Sequence, residues 1–172
     1  TKFWDAMSAS PISASSGVPL ILVQTTAVPA AASGTVADLG LTGADLYVVG
    51  PTSSVAANVA TTLGTTNRII GSATDQYNTA RAVTNWGIAQ GYLGTATVGI
   101  CSKLPDALGA GTYLGYLGGG MLFTAAGTNS VPSATTGFLS ANKSTLRDVF
   151  IFGGNASVTP GAKTNIDNAL KP

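Results

Sequence analysis

Five short runs in this chain are apolar on both faces instead of at alternate positions: VPLILV (18–23), ADLYVVG (44–50), TATVGIC (95–101), MLFTA (121–125) and DVFIFGG (148–154). A strand with one wet face alternates apolar and polar residues, so continuous runs point to strands covered on both sides by helices, as in parallel sheets. The segments 5–16, 30–40, 54–63, 76–91, 106–117, 134–145 and 159–170 read as helices, several of them opening with Ser, Thr, Asp or Pro. Strand and helix therefore alternate, which predicts an α/β fold of parallel sheets with flanking helices.

The alternation also repeats. With Asp5 set on Asp106, Ala6 falls on Ala107, Met7 on Leu108 and Gly17 on Gly118, and LILV (20–23) falls on MLFT (121–124). After a shift of two residues, Val28-Pro29 meets Val131-Pro132, Asp45 meets Asp148, Gly50 meets Gly153, and Ser54-Val55 meets Ser157-Val158. One unit thus occurs twice, and such repetition redefines what the domains are. Residues 67–172 form a complete copy, opened by NRIIG (67–71), DQYNTARAV (75–83) and the strand around 95–101. Residues 1–66 form an incomplete copy that lacks the first strand and helix, so its sheet is expected to leave an edge open or to be completed by another segment.

Composition narrows the functional classes. The 172 residues, 45% hydrophobic, suffice for one globular domain or two small ones. Only 9% are charged, against about 25% in an average soluble protein, and the formal net charge is +1 without any block of like charges. That balance lacks the basic footprint of a nucleic-acid binder. The chain has no histidine, which excludes Ser-His-Asp and Cys-His catalysis and His-based metal sites. Its single cysteine, Cys101, lies in an apolar run and reads as a small buried residue. Two uncharged stretches, 6–37 and 107–126, approach membrane-span length, but prolines and serines interrupt the first and six glycines the second, so each parses as a helix followed by a strand. The opening residues Thr1-Lys2-Phe3-Trp4 start no basic-then-apolar signal sequence.

The order NRIIG, DQYNTA, LPDALGAG, a hydrophobic strand, a Val-Pro turn and FIFGGNASV resembles the type-2 cell-wall-binding repeat of Gram-positive surface proteins, including S-layer proteins. The first copy echoes it with FWDAMSASP, PLILV and YVVGPTSSV. The resemblance implies a non-catalytic module without cofactor or metal, used in tandem copies, commonly three. It further implies that such a module anchors an extracellular surface protein by binding an anionic cell-wall polymer; the incomplete copy and the small-residue helix faces, for their part, allow packing with a third repeat or self-association. Three positions depart from the family pattern: Gln76 stands beside Tyr77 where an Arg is usual, Pro51 replaces the second glycine of a GG pair, and Trp4 replaces a proline.

In an open parallel sheet, ligands bind beyond the carboxyl ends of the strands, where loops lead into helix N-termini whose free N–H groups favour anions. The loops after Val23, Val49, Cys101, Ala125 and Phe152 are neutral and rich in hydroxyls and amides. The candidate ligand-binding residues are Arg68, Tyr77, Thr79, Lys103, Asp106, Gly153, Gly154 and Asn155. Each has a structural reading beside the functional one. Gly153-Gly154 permits a tight turn, and Asp106, like Asp5, complements a helix dipole. Arg68 has an ion pair with Asp75 or a helix C-terminus as its structural reading, and Tyr77 and Thr79 pack and cap between repeats. A small α/β enzyme or nucleotide-binding domain is the alternative function. No GxGxxG or GxxxxGK[ST] pattern stands at a strand-to-helix turn, however, and no carboxylate pair flanks a cleft.

Overall fold

A computed structural model describes residues 3–73 and 75–171. In chain order the elements are α1 (Trp4–Ser16), α2 (Ala30–Asp38), β1 (Val48–Val49), α3 (Ala57–Thr62), β2 (Arg68–Ile69), α4 (Gln76–Ala89), β3 (Thr97–Cys101), α5 (Leu104–Tyr116), β4 (Gly120–Phe123), α6 (Ser133–Asn142), β5 (Asp148–Phe152) and α7 (Pro160–Leu170). All strand pairs are parallel, in one sheet ordered β4-β3-β5 and a second formed by β1 and β2. The architecture is the expected α/β one.

The apolar runs explain the three-stranded sheet. On one face Val98, Ile100 and Leu122 pack against Phe138, Leu139, Ala162 and Ile166 of α6 and α7. On the other, Cys101, Met121 and Phe123 pack against Ala107, Ala110 and Leu114 of α5 and against Ala80 of α4. Burying each large side chain contributes roughly 1.5–3 kcal/mol, so both faces of β3 and β4 must be apolar. Gly99 is the small member of this central strand: a Cβ there would lie 2.5 Å from Leu114 Cδ1 and 2.7 Å from Phe152 Cε2.

Helix ends follow local chemistry. Asp75 caps α4 by accepting from the Asn78 N–H at 2.8 Å, and Thr159 caps α7 by accepting from the Ala162 N–H at 3.1 Å. At the far end of α1, Gly17 adopts φ 71°, a left-handed conformation that glycine takes without strain, and its N–H bonds the Ser13 carbonyl.

The two repeats are joined by homologous helices. Gly111 of α5 sits against the Ser10 hydroxyl and Gly115 against Ala14 and the Pro11 carbonyl of α1, leaving no room for a side chain at either glycine. Trp4 of α1 meets Phe123 of β4 edge-to-face at 5.0 Å. The opening of the second repeat also serves the first: β2 pairs with β1, and Val83, Trp86 and Leu93 join Ile12 and Ile69 in one cluster.

Two expectations need correction. The run at 18–23 forms no strand, and of the run at 44–50 only Val48–Val49 pairs. In the second repeat β3 lies between the equivalent strands, whereas in the first the two runs both line an open cleft of about 920 Å³. Apolar character alone does not make a strand, because a ladder needs a neighbour at hydrogen-bonding distance. The ion pair between Arg68 and Asp75 is not formed: Arg68 Nη1 donates to the Gly50 carbonyl at 2.7 Å, and Asp75 is engaged as the α4 cap.

Candidate functional site

The carboxyl ends of β3 and β5 bring five of the sequence candidates together. β3 ends at Cys101, Ser102 follows, and Lys103 is the N-cap residue of α5, with its side chain exposed. Pro105 falls within the first turn, where its missing N–H costs nothing, and Asp106 places a carboxylate beside the positive end of the helix dipole. From β5, Gly153 turns the chain at φ 111°. The Asp106 carboxylate packs directly on it: a Cβ at Gly153 would come within 2.5 Å of Asp106 Oδ2 and 2.9 Å of Ser157 Cβ. Gly154 and Asn155 continue outward as exposed residues, and Asn155 accepts a hydrogen bond from Lys163 Nζ at 3.0 Å.

Two polar atoms here are buried without a protein partner. Among the described residues, Ser102 Oγ and Asp106 Oδ2 have none, although Ser102 is only 5% exposed. A buried polar atom left unpaired costs about 1–3 kcal/mol, so these two are a local cost of the way the corner packs. The electrostatics remain simple. Burial, with a smaller contribution from the nearby Asp106 charge, pushes the Cys101 thiol up to about 12, so it stays protonated and unreactive. Among the described residues no three acidic or cysteine side chains converge into a metal-binding cluster.

The first repeat rebuilds the same corner. A Cβ at Gly50, φ 102°, would lie 2.5 Å from Asp5 Oδ2, as at Gly153 with Asp106. The following turns match as well. The Pro51 carbonyl accepts from Ser54 N and Val55 N at 2.8 and 3.0 Å, and the Gly154 carbonyl accepts from Ser157 N and Val158 N at the same two distances. Pro51 is thus compatible with the turn, because Gly154, its counterpart, does not use the left-handed region. The loops are cross-tied alike: Ala56 N donates to the Thr25 carbonyl at 2.7 Å and Asn58 Nδ2 to the Thr26 carbonyl at 2.8 Å. In the second repeat Gly127 N donates to the Ser157 carbonyl at 3.0 Å and Thr159 Oγ1 to the Thr128 carbonyl at 2.9 Å.

The other three candidates lie elsewhere. Arg68 joins the first repeat's corner through Gly50. Tyr77 is half-buried against the cluster that contains Cys101, Ala107 and Phe123, beside Trp4 and Met7 of the first repeat. Thr79 is wholly buried, its hydroxyl unpartnered among the described residues, and the capping expected of these two falls to Asp75. Sequence reasoning passed over Ser102 and did not count Asp5 and Gly50 as a second site. The alignment of Asp5 with Asp106 and Gly50 with Gly153 carried the signal for the latter, while Ser102 had none.

Comparison with known proteins gives a consistent result. The profile of the family described as Cell wall binding domain 2 (CWB2) matches residues 1–60 and 68–163. No curated protein matches the chain by sequence. Among solved structures, Cwp6 from Clostridium difficile shares the fold with a TM-score of 0.80 at 19% identity, over 97% of this chain. The chain spans 26% of the length of that protein. With a twice-built parallel α/β unit and a family match over nearly its whole length, this chain belongs to the cell wall binding domain 2 family.

Proposed function

We propose that this chain is a non-catalytic module that holds a surface protein on the cell wall by binding an anionic secondary wall polymer. The observation that carries the reading is the duplicated strand-end corner, neutral and hydroxyl-rich, within a chain of the cell wall binding family. Asp106 and Ser102 lie beneath the corner, with Asp106 Oδ2 and Ser102 Oγ buried, and Asp106 sets the shape of the turn at Gly153. Lys103, exposed at the rim and next to the α5 N-terminus, suits the polymer's anionic group, and Gly153, Gly154 and Asn155 supply backbone and amide contacts. Arg68 plays the cationic part at the first corner. Tyr77 and Thr79 support the joint between repeats. The module works outside the cell, at the wall of a Gram-positive organism, as one part of a longer surface or S-layer protein.

The test is a pull-down of the purified chain with wall sacculi before and after mild acid extraction of secondary polymers. Binding that disappears on extraction, and that weakens on raising salt and in Lys103→Ala, is the expected result. Binding that survives extraction, or none from protein shown to be folded by circular dichroism, overturns the assignment.

A further inference from the structure

We draw no further inference here: the strongest candidate, the outer edge of β5 with the rings of Tyr113, Phe150 and Phe152 grouped beside it, is the counterpart of the β1 edge that β2 pairs with, so any occupant inferred for it restates the packing of one repeat on the next already described.

Discussion

Helix α5 carries three glycines in three environments, which turns one substitution into an internally controlled test of how the repeats are joined. Gly109 has no atom within 4 Å of a built Cβ, so Gly109→Ala collects the helix-propensity gain of about 1 kcal/mol and stabilises. At Gly111 the new methyl meets the Ser10 hydroxyl, which can rotate away at the cost of its 2.7 Å bond to the Met7 carbonyl, about 1 kcal/mol, and the Ser10 Cβ at 2.9 Å, which cannot, so the loss exceeds the gain by up to about 1 kcal/mol. At Gly115 the methyl meets Ala14 Cβ, the Pro11 carbonyl oxygen at 2.7 Å and the Ser15 nitrogen at 3.1 Å. Backbone atoms cannot rotate aside. Overpacking of about 2–3 kcal/mol therefore exceeds the propensity gain, for a net loss of about 1–2 kcal/mol. Urea unfolding should rank the proteins Gly109→Ala, then wild type, then Gly111→Ala, then Gly115→Ala, with the extremes about 2–3 kcal/mol apart, or roughly 5–10 °C in Tm. Adding Ala14→Gly to Gly115→Ala should recover part of the loss, giving a coupling of about 0.5–1 kcal/mol in a double-mutant cycle. If Gly115→Ala stabilises as much as Gly109→Ala, α1 and α5 do not pack through that face and the account of the joint fails.

Gly153→Ala places a side chain at φ 111° against the Asp106 carboxylate and should cost at least about 2 kcal/mol by thermal melting; Gly50→Ala, against Asp5, should cost a similar amount. Cys101, raised to about 12 by burial, should resist maleimide labelling in native protein at pH 8 and react promptly in denaturant. Between about pH 9 and 12 the unfolded thiol ionises while the folded one does not, so this group lowers stability as pH rises through that window and has no effect below it. Asp45 sits below its ordinary value because the Thr42 N–H and hydroxyl donate to it at 2.9 and 2.7 Å. Its turn is therefore supported above the usual carboxylate range and loosens as pH falls below it, and an NMR titration of Thr42→Ala should move the Asp45 midpoint upward.

The parallel sheet of the second repeat was legible because TATVGIC, MLFTA and DVFIFGG owe their apolarity to helices on both faces, a requirement written residue by residue. VPLILV carries the same signal, yet pairing is tertiary, and no local pattern tells whether a neighbour stands beside it. The corner of Asp106 and Gly153 could be located from the repeat register, since both members recur at matching positions as Asp5 and Gly50. Arg68 could not: the attraction of its guanidinium for the Gly50 carbonyl depends on the second repeat's first strand lying on the first repeat's last one. Ser102 was silent for a related reason, because an unpaired hydroxyl is a property of its surroundings.

The placement of β2 and α4 bears on where the two copies divide. Both open the second repeat in sequence, yet β2 extends the ladder of the first repeat and α4 packs on its α1. The stretch from Arg68 to Ala89 is thus held in common, so a cut between the two copies at that point would take from the first the partner of its only paired strand among the described residues and one helix packed on α1.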